Sequence, residues 1–361
     1  MSRALFTGAC IVTVVALCVM RLDAHKPITS KYTYGEDVFP IVNSRCGSCH
    51  VSGGVAPMSL LTYKEAFPWA ESMRVELLAS HMPPYFAEPG FGEIQTGPRL
   101  TPRELDILLT WATGGTPEGP VRRATPAPVR SDWKNGKPDL TLPMPAAFTL
   151  AADTMEVTQE FVLATGNVDR WIRAVDLLPG TPAVVRNAVV LARPGGGGEP
   201  IVLALWNPGD PLVLAPAGAA FRWPAGSELV VRMHYLKTWT YDGKVVTDRS
   251  TVGLFLAGGA SQKELRSLAV PQPDLALAED VEAAAIRVEA QETDKSVRVE
   301  ATRPDGVRVP LISVLTRTNW NRRYWFSRPL SLPKGTRVTV RGASAAQVWL
   351  DVLRSVATQR D

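Results

Sequence analysis

Apolar and polar positions along this chain follow two different periods. Between about 30 and 120, apolar residues recur three and four apart, the spacing of amphipathic helices. Residues 35–45 read as a first helix, with Glu36 and Asp37 in the opening turn and Phe39, Ile41 and Val42 on one face. Residues 62–80 read as a second. Thr62 is its N-cap, Glu65 closes a capping box, and Phe67, Ala70, Met73 and Leu77 share a face. A third opens at Thr101-Pro102-Arg103-Glu104 and carries Leu105, Leu108, Leu109 and Ala112 until Gly114-Gly115 stops it. Phe39 and Trp111 are the candidates for contact between the first and last of these helices; both would serve equally as plain core.

Farther along, the period falls to two. Short β-rich runs occupy 156–163, 170–177, 183–191, 201–206, 228–234 and 251–256, then 284–289, 296–302, 309–315, 336–341 and 347–353. Pro-Gly, Asp-Gly and Lys-Gly pairs punctuate them, and the expected outcome is a pair of all-β sandwiches with a break near 260–280. Between the two periods lies GGTPEGPVRRATPAPVRSDWKNGKPDLTLPMP, proline-rich and without apolar periodicity, which reads as an extended linker. The expected organisation is a multidomain chain. A small all-α domain spans 30–120, a linker 121–148, and β-sandwich domains 149–265 and 266–361.

The first 24 residues stand apart. A positive start at Arg3, an apolar run over 4–20 and small residues before a cut after Ala24 make a secretory signal peptide, with an uncleaved anchor as the rival. Cys18 follows Leu17, where a lipobox needs a small residue. The expected location is periplasmic or extracellular, with membrane contact only through an uncleaved N-terminus. With 45% hydrophobic and 20% charged residues the chain is ordinary for a globular protein. Of the formal charge of +4, the first 24 residues account for +1, and the remaining +3 suggests no nucleic-acid surface.

Chemistry enters at Cys46-Gly47-Ser48-Cys49-His50. Cys46 and Cys49 are the only cysteines beyond residue 24, and C-x-x-C-H is the attachment signature of c-type haem. Two thiols at that spacing add to the two vinyl groups of one porphyrin, and His50 is placed to ligate the iron from the proximal side. A structural zinc site would need a second Cys pair, and a thioredoxin-like motif would need a βαβ pattern; neither is present. Covalent haem also requires export in bacteria, which agrees with the leader. Three helices around one haem is the class I cytochrome c arrangement. The sixth ligand is expected from the loop carrying His81-Met82-Pro83-Pro84-Tyr85. Met82 is the choice, because a thioether on a proline-stiffened loop costs little entropy to position; His81 is the alternative. Met58 and Met73 read as core filler, and Pro57 as a carbonyl partner for the other His50 ring nitrogen.

The runs CGSCHVSGGVAPMSLLTYKEAFPWA, HMPPY and LTPRELDILLTWATGGTPEG resemble a cytochrome c module fused to bacterial proteins of the copper type II, ascorbate-dependent monooxygenase superfamily. The resemblance implies that Cys46 and Cys49 bind haem and that His50 and Met82 ligate its iron. The usual aromatic after Met-Pro-Pro is Trp; here it is Tyr85. The landmarks DWKNGKPDL, RWIRAVDLLPG, WPAGSELVVRMHY, DRSTVGLFLA and WFSRPLSLPKGTRV resemble the catalytic core of that superfamily, which includes peptidylglycine hydroxylase. There, two jelly-roll-like domains each hold one copper, one through a His-His pair and a later His, the other through His-x-His and a Met. Those ligands do not carry over. Arg186-Asn187 stands at the His-His position, Glu289-Ala290-Gln291 at His-x-His, and Met233 is the last methionine. Only His234 matches a ligand position, a remnant of a copper site.

Histidine arithmetic agrees. Of His25, His50, His81 and His234, one lies in the β region, and redox copper wants several imidazoles. The plain reading of His234 is a strand residue satisfied by a neighbour. His25 would become the N-terminal residue after cleavage and could then chelate copper through its amine together with a second His; an exposed terminus is the simpler reading. The expected function is therefore an exported mono-haem electron carrier, not an enzyme, without catalytic residues and without copper. Its β region would dock an unidentified redox partner protein or scaffold a complex. Two alternatives stand: a copper monooxygenase fed by its own cytochrome domain, and a non-catalytic binding subunit of a periplasmic complex.

Overall fold

Tyr34 stands between Phe39 and Trp111, with ring centroids 6.2 and 5.9 Å away. The two residues expected to touch are therefore bridged by a third ring. The computed structural model describes residues 29–95, 97–120, 132–133, 136–259, 261–342 and 346–356. The leader, His25 and residues 121–131 of the expected linker lie outside them.

The helices are short. A π-helical turn, Tyr34–Val38, leads into α1 (Phe39–Arg45), and Thr33 caps it through its hydroxyl, which accepts from the Glu36 amide at 3.4 Å. The expected second helix is broken into α2 (Tyr63–Ala66), a 3-10 turn Phe67–Trp69 and α3 (Ala70–Leu78). Pro68 lies in that turn, and its missing N–H and fixed φ interrupt the ladder. Phe67, expected on the apolar face, is 48% exposed as a result. Glu65 takes hydrogen bonds from the Thr62 and Ser59 hydroxyls, not from the Thr62 amide, so the expected box is only half made. By contrast α4 (Pro102–Thr113) has both halves of its box: the Thr101 amide donates to Glu104 at 2.7 Å and the Glu104 amide to Thr101 at 3.2 Å. These helices share a core of Tyr34, Val38, Val42, Leu60, Leu108 and Trp111.

The rest is β structure. The first part holds β1 (Leu140–Pro143), β2 (Phe148–Leu150), β3 (Glu156–Thr165), β4 (Arg170–Leu178), β5 (Val185–Arg193), β6 (Ile201–Trp206), β7 (Ala219–Trp223), β8 (Glu228–Leu236), β9 (Val246–Asp248) and β10 (Thr251–Leu256). The second holds β11 (Lys263–Val270), β12 (Asp274–Ala276), β13 (Val281–Glu289), β14 (Ser296–Thr302), β15 (Arg308–Leu315), β16 (Arg322–Leu332), β17 (Arg337–Gly342) and β18 (Gln347–Ser355). One eight-stranded sheet, β1-β10-β4-β7-β11-β18-β13-β16, runs through both parts. Its first half faces the sheet β3-β8-β5-β6 across a core of Ile172, Leu177, Phe221, Leu229, Met233 and Tyr235. Its second half faces β12-β17-β14-β15 across Ile286, Leu350, Val297, Val299 and Val340. The architecture is two sandwich-like layers sharing a sheet, joined where β11 runs parallel to β7 at Ala219 and Ala220. Strand β11 passes through the expected boundary at 265/266, and β1 lies within the expected linker.

The segment between α3 and α4 is built into the second sandwich. The Glu88 amide donates to the Ser313 carbonyl, Gln95 to Trp325, and Ser327 to Glu93, at 2.6 to 2.8 Å. Gly92 packs so closely on β15 that a Cβ there would lie 2.3 Å from the Leu311 carbonyl oxygen.

Candidate functional site

The C-x-x-C-H run closes into a turn directly after α1. The Cys49 and His50 amides both donate to the Cys46 carbonyl, at 3.0 and 2.8 Å. Gly47 is required there, because a Cβ would sit 2.6 Å from the Asn43 carbonyl oxygen. The turn therefore brings both cysteines and the imidazole together, and neither cysteine is in a disulfide. Burial, with Cys49 alongside, pushes the Cys46 thiol up to about 12, so it is protonated at neutral pH.

His50 Nδ1 lies 3.3 Å from the Met58 carbonyl oxygen. That corrects the expected partner, Pro57, whose carbonyl instead accepts from Thr240 of the first sandwich at 3.4 Å. Burial holds the imidazole below its ordinary range against the opposing effect of the Met58 carbonyl, so it is neutral with a lone pair to offer. Nε2 makes no hydrogen bond to a described residue. The outer side of the turn rests on the loop after β6: Cys49 Sγ is 3.7 Å from the Pro208 carbonyl oxygen, and a Cβ on Gly209 would meet Ser48 Oγ at 2.6 Å. Arg186 sits nearby, with Cys49 and Glu156 in its electrostatic surroundings. A bulge between Val185 and Asn187 displaces it from the β5–β8 ladder, and its buried Nε has no hydrogen-bond partner among the described residues.

Met82 lies on a separate loop, after α3, and is 42% exposed, whereas Met58 and Met73 pack against the helical core. The neighbouring His81 is engaged on both ring nitrogens, Nδ1 3.0 Å from Glu76 and Nε2 3.8 Å from Asp294 of the second sandwich. Two residues past Met82, the Pro84 carbonyl accepts from Arg322 Nη1 at 2.9 Å and Trp320 Nε1 at 3.3 Å.

His234 belongs to neither loop. On β8 it pairs through Nε2 with Glu156 at 2.7 Å, and its Nδ1 is 3.1 Å from the Asn187 amide nitrogen. Met233 points the other way, fully buried in the first core. Asn187 stands opposite His234 in the β5–β8 register, so the two positions that the resemblance treats as ligands are neighbours in space. Glu289 is 3.2 Å from Arg287 Nη1, and burial pushes its carboxyl up. Among the described residues no group of three His, Cys, Asp or Glu side chains is placed to hold a metal ion.

Two thiols, an imidazole with one nitrogen held and the other without a hydrogen bond to a described residue, and an exposed thioether on a separate loop are the donor types a covalent haem uses. The chemistry of the set fits that group. Sequence reading missed Pro208, Asp294, Trp320 and Arg322, and it singled out Arg186 only against the copper pattern, not as a neighbour of Cys49. All of them come from the β region, and no local motif ties them to the C-x-x-C-H turn or the Met82 loop.

No family model matches the chain, and no curated protein does. Among solved structures, PNGF-II is similar over 60% of this chain and 65% of its own, at 12% identity and a TM-score of 0.25. A Bacteroides ovatus protein assigned as an α-L-fucosidase is similar over 58% and 39%, at 10% identity and 0.19. The tandem CBM22 domains of Paenibacillus barcinonensis Xyn10C are similar over 62% and 95%, at 10% and 0.16. The chain spans less than two thirds of the first two, and likenesses at these TM-scores assign nothing. No helix of the described residues is long and apolar enough to cross a membrane.

Proposed function

We propose that this chain is an exported, mono-haem c-type cytochrome acting in electron transfer, with its helices forming a class I cytochrome c domain. The observation that carries the reading is the C-x-x-C-H turn itself: His50 is oriented by the Met58 carbonyl and keeps Nε2 open. Cys46 and Cys49 would hold the porphyrin, and His50 and Met82 would be the axial ligands. Haem held by these four residues would supply a one-electron couple. The residues around it orient the imidazole, keep it neutral and brace the loops that carry each ligand.

The β region is read as a monooxygenase-like fold without its copper ligands. His234 with both ring nitrogens engaged, Asn187 beside it and Met233 turned into the core support that reading. Docking of a periplasmic redox partner is the role left to these layers.

Metal analysis with redox titration tests the proposal. Full-length protein made with a haem-attachment system should hold one iron per chain, no stoichiometric copper, and a single reversible one-electron couple. Iron with one or two coppers would restore the monooxygenase; a protein without haem would remove the cytochrome reading altogether.

A further inference from the structure

Resting on the haem reading above, the geometry points to Arg322 as a positioning residue that clamps the Met82 loop to the junction of the two sandwiches. Arg322 opens β16, and its side chain is 7% exposed. Its guanidinium grips Asp210, in the loop after β6, with two hydrogen bonds: Nε to Oδ2 at 3.1 Å and Nη2 to Oδ1 at 2.5 Å. The remaining Nη1 donates to the Pro84 carbonyl, and the guanidinium lies over the Tyr85 ring, 5.0 Å from its centroid. Tyr85 is held in turn, edge-on, by Tyr324 at 5.5 Å.

The clamp continues to the other side of the site. Asn207 Nδ2 donates to Asp210 at 3.1 Å and to the Asn321 carbonyl at 3.2 Å. Next to it, Pro208 presents its carbonyl to Cys49. Bonds thus run from Asn207 through Asp210 and Arg322 to the Met82 loop, and the C-x-x-C-H turn touches the same 207–210 loop at Cys49 and Pro208, a contact that would lose its thiol proton once Cys49 is a thioether. They use both sandwiches and neither proposed iron ligand.

The physical consequence is for ligand retention. A thioether bond to ferric iron is weak, and it persists only if the loop that carries it is already ordered. A planar guanidinium shared between a carboxylate, a carbonyl and a ring orders that loop in a way a point charge cannot. Removing it leaves the Pro84 carbonyl to the longer Trp320 bond and takes the bidentate guanidinium from Asp210, so the open loop gains population and an external ligand competes better.

Imidazole titration of the ferric, haem-loaded full chain reads this directly, because imidazole must displace Met82. Arg322→Met should bind imidazole at least tenfold more tightly than wild type, within the 10- to 100-fold range typical of residues that support a metal ligand. Its thioether charge-transfer band should be lost at a lower imidazole concentration than in wild type. Arg322→Lys, which keeps the charge without the fork, should fall between. Asp210→Asn breaks the clamp from its other end and serves if Arg322→Met does not fold. Arg328→Met, removing an exposed pair with Glu93 in the same strap, should match wild type. Wild-type imidazole affinity and band in both Arg322→Met and Asp210→Asn, even with lowered thermal stability, would overturn the inference. A wild-type protein lacking covalent haem or the thioether band would instead sink the haem reading, and this inference with it.

Discussion

Arg323 Nε donates to the Asp351 carboxylate at 2.7 Å, with the acid side chain wholly removed from solvent. The same guanidinium reaches the Val202 and Leu203 carbonyls at 2.7 and 2.9 Å, and lies 4.5 Å from the Phe221 ring centroid. Val202, Leu203 and Phe221 belong to the first sandwich, Asp351 to the second, so one side chain ties the layers together across their shared sheet. Removing it strands a buried carboxylate whose other cation, Arg287, is 3.5 Å away. Arg323→Met should cost about 3–5 kcal/mol, read as a fall in the urea midpoint of unfolding. A loss below about 1 kcal/mol would mean that Arg287 and the Ser267 hydroxyl, 2.6 Å from Asp351, satisfy the acid.

Haem attachment is the next expectation. Colour should stay with the polypeptide through acid–acetone extraction, and the covalent link should be lost in Cys46→Ala/Cys49→Ala. Freely extractable colour in the wild type would count against attachment at this turn.

Ligation follows from which methionines are packed. Met82→Ala should abolish the weak long-wavelength band of ferric iron–thioether bonding. Met58→Ala and Met73→Ala, which remove side chains packed on the helical core, should keep the band while lowering stability by about 2–5 kcal/mol. Loss of the band in Met58→Ala but not in Met82→Ala would move the ligand.

Copper decides between carrier and monooxygenase. With both ring nitrogens of His234 engaged by Glu156 and Asn187, the full chain should take up no copper at micromolar concentration, and His234→Ala should not alter its metal content. Tight copper binding removed by His234→Ala is the result that would reverse the functional reading.

Glu289 makes a pH test. Burial raises its folded pKa above the unfolded value, with Arg287 foremost among the groups that oppose the rise. The folded state therefore holds this proton more tightly, and the stability that goes with it is present below the unfolded carboxylate pKa. It is lost as pH rises through the folded value. Glu289→Gln cannot ionise, so it should be the more stable protein at pH 7, with the difference shrinking toward pH 4. Paired urea titrations at the two pH values check the sign.

Local chemistry was legible in the residues themselves. Short β-rich runs set off by turn residues placed β6, β10 and β14 at their observed bounds, and of the three only β14 also alternates in burial. Thr101-Pro102-Arg103-Glu104 named the start of α4 for the same kind of reason: its capping groups lie three residues apart. Cys46, Cys49 and His50 share one turn that their spacing already implies. Strand β16 was not legible. No local pattern marks Arg322 and Arg323 as buried, yet both are, against carboxylates 112 and 28 residues away. Nor does spacing near His50 say that the Met58 carbonyl, one residue past the expected one, would reach Nδ1. The sequence by itself determined the elements with a local period or cap and the donor set of the candidate site. Only the tertiary structure decided what braces that site, because the bracing groups are backbone carbonyls and distant ion pairs that meet when the sandwiches pack together.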